Sequence, residues 1–383
     1  MDTAAEGTLA TTDPALRVLV EQVRQARSER RPLAIRGLGT KTFYGRPPVG
    51  DPLDVSGLAG ISSYEPSELV VTVRAGTPLR DLEQALSERN QCLAFEPPRF
   101  ASPDDPQRRG GTVGGMVAAG LAGPARASVG GVRDFVLGAT IVNGRGEVLS
   151  FGGQVMKNVA GYDVARLLAG SLGILGVIGE VSLKVLPRPV AQSTIRFELP
   201  EAAAIDQLQA LGGQPLPLHA SAWWDGMLVL RLAGASAAVE SARRQLGGEL
   251  VEPAMAARFW EGLRDQTDEF FVGAEEAVAR GALLWRLSVP AGTPPLGLGG
   301  EQLVEWGGAQ RWLCSAAPAA AIREAARAAG GHAVLYRCSD PHAKAQLGAF
   351  APLSPALERI HAALKQAFDP DGILNPGRLY AGL

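Results

Sequence analysis

Between Pro14 and Glu29 the apolar residues Leu16, Leu19, Val20, Val23 and Ala26 return every three or four positions, the spacing that turns one face of a helix toward a core. Asp13 stands as N-cap with Pro14 at the first helical position, and Arg30-Arg31-Pro32 ends the pattern. PLAIRGLGTK then reads as a short apolar strand running into glycines. DPLDVSGL (51–58) and the alternating ELVVTVRAG (68–76) predict two more strands, and TPLRDLEQALSERN (77–90) a second amphipathic helix. The first ninety residues therefore alternate helix and strand as an α/β or α+β layer does. VLGATIVNGRGEVLSF (136–151) predicts a hairpin turning at Asn143-Gly144, and GVIGEVSLKVLP (176–187) a long strand closed by Pro187.

Past Pro187-Arg188-Pro189 the texture changes. Strand-like stretches at 193–200, 220–234, 282–290, 310–316 and 332–339 interleave with Ala-rich helical patterns, among them 236–248 and 318–331, and the tryptophans gather here. This predicts a second domain, 188–339, with helices on one face of an antiparallel sheet. Trp223 and Trp224 are neighbours on a strand, so they point to opposite faces. Residues 340–383, an amphipathic helix reaching Asp369-Pro370 and then an extended segment, are expected to return to the first domain, 1–187. No fixed-period repeat is visible.

Composition narrows the function. The net charge of -2, from 37 basic and 39 acidic residues, supplies no field for a nucleic-acid backbone or an anionic membrane. Cys92, Cys314 and Cys338 are far apart and odd in number, which fits neither a disulfide framework nor a metal or iron–sulfur cluster and favours a reducing cytoplasm. No metal site is expected. MDTAAEGTLATTDPALRVL has no basic start before an apolar core, so no secretory signal is expected. LLAGSLGILGVIG (167–179) is shorter than the roughly 18 apolar residues a span requires, so no membrane span is expected either.

Glycine is the anomaly, at 47 of 383 residues, about 12% against an average near 7%. Seven are concentrated in two loops. In RGLGTK (36–41), directly after a strand, unshielded N–H groups are suited to nest a pyrophosphate, with Arg36 and Lys41 adding charge. In RRGGTVGGMVAAGLA (108–122) eight of the fifteen residues are Gly or Ala, suited to a small-residue helix lying flat against the same ligand. A plain tight turn for the first loop and close helix–sheet packing for the second are the competing readings. Neither loop is a Rossmann fingerprint, because the third glycine is missing and TFYGRPP is no helix.

RGLGTKTFYG, GGTVGGMVAAGLAGP, GVRDFVLGATIVNGRGEVLSFG, VMKNVAGYDVARLLAGSLGILGVIGEVSLKVLP and FDPDGILNPGRLY, in that order, resemble the vanillyl-alcohol oxidase/p-cresol methylhydroxylase (PCMH-type) FAD-binding family. Within it the resemblance is to the FAD-binding subunits of bacterial glycolate oxidases. It covers about residues 30–187 and 355–383. The implied fold is α+β: a two-subdomain PCMH-type FAD-binding fold with an α+β cap, ferredoxin-like, of antiparallel sheet plus helices. The implied cofactor residues are Arg36, Gly37, Leu38, Gly39, Thr40 and Lys41 at the pyrophosphate. Gly110, Gly111, Thr112, Val113, Gly114, Gly115, Ala119 and Gly120 would pass along pyrophosphate and flavin, Gly176, Val177 and Ile178 would hold the adenine or ribose end, and Asn375 would lie by the flavin ring.

Many relatives tether FAD through a His near the first loop or in the cap; here the histidines are His219, His332, His342 and His361, so noncovalent FAD is expected. The family's paired cap histidines have no counterpart, and Leu172 stands where relatives often carry Glu. Oxidising a hydroxy acid needs a base for the hydroxyl proton and a cation for the carboxylate. Lys157, Asn158, Tyr162 and Arg378 face the flavin by motif position, with Lys157, Tyr162 and Arg378 as candidates for that chemistry and structural roles as the alternative. The resemblance thus implies an FAD-dependent oxidoreductase subunit of a glycolate oxidase complex acting on a small 2-hydroxy acid, glycolate or D-lactate, in glyoxylate metabolism. Flavoprotein and iron–sulfur subunits would be its partners, in the cytoplasm or held at the inner membrane through them. A self-sufficient 2-hydroxy-acid dehydrogenase and a non-redox scaffold that keeps FAD for assembly are the alternatives.

Overall fold

The computed structural model describes residues 13–102, 105, 109–153 and 163–383. Its first helix, Pro14–Ser28, starts where Asp13 Oδ1 accepts from the Ala15 amide at 2.9 Å. It buries Leu19, Val20, Val23 and Ala26 against a short parallel pair of strands, Leu33–Arg36 and Asp51–Asp54. The C-terminal tail completes this layer: the Leu33 amide donates to Ile373 O and the Asn375 amide to Leu33 O.

Beside it lies a five-stranded antiparallel sheet in the order Ile61–Glu65, Val70–Arg74, Val177–Lys184, Val136–Val142, Val148–Gly152. Helix Leu79–Ser87 packs on this sheet through Leu79, Leu82 and Leu86, all fully buried at i, i+3 and i+7. Each contributes roughly 1.5–3 kcal/mol of burial free energy. The expected hairpin forms and turns from Asn143-Gly144, the Gly146 amide donating to Asn143 O at 3.0 Å. Five residues, 143–147, connect the strands, Asn143 Oδ1 accepts from the amides of Arg145 and Glu147, and the positive φ belongs to Gly146. The asparagine side chain adds its own turn to that of the backbone.

Residues 191–337 build one eight-stranded antiparallel sheet. Its first half, β-α-β-β-α-β from Ala191 to Leu250, has its strands in the spatial order 4-1-3-2 of a ferredoxin-like unit. A second half, from Leu283 to Arg337, repeats that order without the first helix. The two join where strand Leu218–Trp224 pairs with Glu301–Glu305. The ferredoxin-like cap implied by the resemblance is therefore present twice over. The expectation of helices on a single face is corrected. Helices Glu201–Gly212, Ser236–Leu246 and Ala319–Ala328 cover one face. On the other, Pro253–Asp265 and Glu269–Ala279 pack beside Tyr44, Phe100, Ala119, Leu121 and Leu172. These two helices were missed by pattern, although Glu252 before Pro253, and Asp268, are visible N-caps. Trp223 and Trp224 do take opposite faces, each half-buried with its indole N–H donating, to Leu199 O and Glu301 Oε1.

The seam between the sheets is polar at one end and aromatic at the other. Arg231 donates to both carboxylate oxygens of Glu96 at 2.8 Å while its guanidinium sits 4.8 Å from the Trp260 ring centre. Phe43 and Tyr44 meet Tyr336 edge-on and tilted at 5.3 and 5.5 Å, and Tyr336 meets Trp312 at 4.8 Å.

Candidate functional site

The strand Leu33–Arg36 ends in the first glycine loop, and helix Val113–Ala119 begins at the second. Both loops open on one cavity, about 1120 Å³ of empty space with its mouth included. Its walls are Ala34–Thr42, Pro48, Pro52 and Val55 on one side. Opposite are Ala75, Thr112, Gly114, Gly115, Ala118 and Ala119, and at the ends Leu172, Gly173, Gly176, Ile178, Asn375 and Arg378.

Backbone accounting shows what the cavity offers. Among the described residues, the amides of Leu38, Gly39, Thr40, Lys41, Gly111 and Thr112 donate to no protein acceptor, although neighbouring amides do: Thr42 to Gly39 O, Tyr44 to Lys41 O, Gly110 to Phe100 O and Val113 to Thr77 O. Four consecutive amides without a protein partner thus stand along the cavity wall. They form a nest suited to an anion.

Lys41 stands in the same wall. Its ammonium donates to Gly110 O at 3.2 Å and Thr40 Oγ1 at 3.3 Å and has no carboxylate partner among the described residues. Burial pulls its pKa down to about 8. An ammonium with no counter-ion, beside unpartnered amides, asks for a ligand of opposite charge.

Both readings of the glycine-rich segment hold, at different residues. Gly111, at φ +75°, brings its backbone so near the first loop that a Cβ would lie 2.5 Å from Thr40 Oγ1. Gly114 packs helix on sheet, since a Cβ there would lie 2.6 Å from Ala75 Cβ. Gly115, one residue on, faces the cavity, and a Cβ would find only Thr112 Oγ1 within 4 Å.

Of the residues singled out by sequence, Arg36–Lys41, Thr112, Gly114, Gly115, Ala119, Gly176, Ile178, Asn375 and Arg378 line the cavity. Gly110, Gly111, Val113, Gly120 and Val177 stand behind its wall: Val113 and Val177 are fully buried in core clusters, and Gly120 caps its helix against Gly170. Lys157, Asn158 and Tyr162 lie outside the described residues. Asn375, at φ 43°, accepts from the Ile35 amide at 2.7 Å and donates to Leu172 O at 2.6 Å. Its side chain staples three wall segments together. Arg378 is likewise engaged, its guanidinium donating to the carbonyls of Thr42, Tyr44 and Arg46. Sequence reasoning passed over Pro48, Pro52, Val55 and Gly173, which carry no chemical motif.

These residues fit a dinucleotide: an anion nest with a half-buried cation beside it, a stripped backbone, and the apolar side chains of Leu172 and Ile178 among the residues at the ends. Residues 17–152 match the FAD binding domain family. The glycolate oxidase subunit GlcE of Escherichia coli (strain K12) is 47% identical over 365 residues, 95% of this chain and 97% of that protein. The glycolate oxidase subunit GlcD of Bacillus subtilis (strain 168) is 31% identical over 177 residues, 45% of this chain and 36% of its own. An alkyldihydroxyacetonephosphate synthase structure superposes with a TM-score of 0.64 over 94% of this chain and 74% of the other, at 15% identity, and shares the fold.

Proposed function

The chain belongs to the GlcE family of glycolate oxidase subunits, and from that premise we propose that it is the FAD-binding subunit of a glycolate oxidase complex, an FAD-dependent oxidoreductase. The observation that carries the reading is the half-buried Lys41 ammonium, without a carboxylate partner among the described residues, beside the unpartnered amides of Leu38–Lys41. In this proposal those amides, with that of Thr112, hold the FAD diphosphate noncovalently, the adenosine end extends toward Gly176–Ile178 and the flavin toward Ala119 and Leu172. When bound, FAD supplies two-electron chemistry, able to accept the electrons of a 2-hydroxy acid such as glycolate, with glyoxylate as product.

Within the complex, flavoprotein and iron–sulfur partner subunits would exchange those electrons, in the cytoplasm or at the inner membrane. None of the described helices is long and apolar enough to cross a membrane. The engagement of Arg378 favours this reading over a self-sufficient dehydrogenase, because the guanidinium N–H groups that would clamp a substrate carboxylate already serve three carbonyls. The visible spectrum of the chain purified alone, before and after glycolate, tests the proposal. Flavin absorbance that glycolate leaves unbleached until partners are added is expected; a colourless chain that cannot be reconstituted with FAD defeats it.

A further inference from the structure

The segment that follows the amide nest is gripped by its carbonyls. Arg378, 7% exposed, donates through Nη2 to Tyr44 O at 2.8 Å and through Nη1 to the carbonyls of Thr42 and Arg46, and its own carbonyl accepts from the Arg46 amide at 3.0 Å. Lys344, 5% exposed on helix Pro341–Leu347, donates to Phe43 O and, at 2.7 Å, to Tyr336 O. The carbonyls of Thr42, Phe43, Tyr44 and Arg46 are all taken by cationic side chains from the far end of the chain.

Neutral donors would anchor a loop at less cost, because burying a charge without its opposite is expensive. Among the described residues neither Arg378 nor Lys344 has a carboxylate within ion-pair distance, and neither does Lys41. Burial lowers Lys344 to about 7, with Arg378 the next contribution, and lowers Arg378 to about 10. Like charges crowded into a water-poor shell are tolerable when an anion completes it. Arg378 and Lys41 both face the cavity, so the anion belongs there.

We propose that Arg378 and Lys344 are positioning residues for the diphosphate: they hold 42–46 by its carbonyls so that the preceding amides stay open to the cavity, and their charge selects an anionic dinucleotide over a neutral flavin. This rests on the reading of the cavity as an FAD site. It gives the two residues a role that requires no contact with substrate, and it accounts for cations where hydrogen-bonding amides would have sufficed.

The test compares FAD with riboflavin, which lacks phosphates, by quenching of flavin fluorescence on the full chain at low and high salt. Arg378→Met and Lys344→Met weaken FAD about tenfold or more while moving riboflavin less than about threefold, and Arg378→Lys recovers part of the loss. Wild-type affinity for FAD falls as salt rises and that for riboflavin does not. Equal weakening of both flavins reduces the pair to packing and overturns the proposal, as does FAD binding that ignores salt. If the Met variants do not fold, the wild-type salt comparison and Arg378→Lys decide. A wild-type chain that binds neither flavin overturns the FAD reading itself and this assignment with it, a result distinct from FAD binding that is indifferent to Arg378 and Lys344.

Discussion

Lys41 Nζ lies 3.2 Å from the carbonyl oxygen of Gly110, so the cation of the first glycine loop is tied to the entrance of the second. This contact makes cofactor affinity pH-dependent with a definite sign. Burial lowers Lys41 to about 8 in the free chain, so a diphosphate that favours the ammonium must draw a proton onto it above that pH. FAD affinity is expected to be flat below pH 8 and to fall about tenfold per unit above it. Lys41→Met weakens FAD roughly tenfold to a hundredfold and abolishes the slope. Fluorescence titrations from pH 6 to 9.5 read both; an unchanged slope in the variant removes Lys41 from the diphosphate site.

Adjacent glycines separate scaffold from site. A methyl at Gly114 meets Ala75 Cβ at 2.6 Å, so Gly114→Ala overpacks helix on sheet and costs about 1–3 kcal/mol. Gly115 lines the cavity, and a Cβ there meets only the Thr112 hydroxyl, at 3.2 Å, which must give by a few tenths of an ångström, so Gly115→Leu should leave the melting temperature within about 3 °C while displacing flavin. Thermal unfolding and flavin absorbance after purification check the pair. The opposite assignment of the two effects would show that Gly115 does not face the ligand.

At the seam, Arg231 and Glu96 join the two sheets through a bidentate pair whose side chains are 7% and 23% exposed. Arg231→Ala leaves a carboxylate largely out of water and should destabilise by about 3 kcal/mol. The double variant with Glu96→Ala should cost less than the sum of the single changes, because the orphaned charge is gone. Urea unfolding of the four proteins measures the coupling, and strict additivity would mean that the pair does not bind the halves.

The helices and the glycine loops were legible in sequence because their determinants are local. Asp13 and Pro14 start the first helix within two residues of where it begins, and a backbone bare of side chains announces close approach wherever it folds. What stayed hidden depends on partners remote in sequence. The junction of Leu218–Trp224 with Glu301–Glu305 spans some eighty residues and leaves no periodic trace, so one sheet with helices on both faces read as a plainer layer. Asn143-Gly144 marked the hairpin turn in the sequence, but not that the asparagine side chain would also accept from the amides of Arg145 and Glu147. For Arg378 the sequence records a charge but not the carbonyls, more than 300 positions away, to which its guanidinium donates.

Glu305 carries the last prediction. It is 4% exposed at the end of strand Glu301–Glu305, and its Oε2 accepts from Trp312 Nε1 at 2.7 Å and Gln310 Nε2 at 2.9 Å. Burial raises its pKa to about 7, outweighing those two donors, and the nearby charges of Asp268 and Glu96 push the same way. The folded chain therefore keeps a proton that the unfolded chain has lost between pH 4.5 and 7, so this group's contribution is whole below 4.5 and declines as pH rises through 7. Glu305→Gln keeps an acceptor for the Trp312 indole and removes the titration. It should match wild type near pH 4.5 and exceed it at pH 8 by roughly 1–3 kcal/mol. Urea unfolding across that range reads the difference. A variant whose advantage does not grow with pH would mean that the Glu305 carboxylate is ionised throughout and that its two donors outweigh its burial.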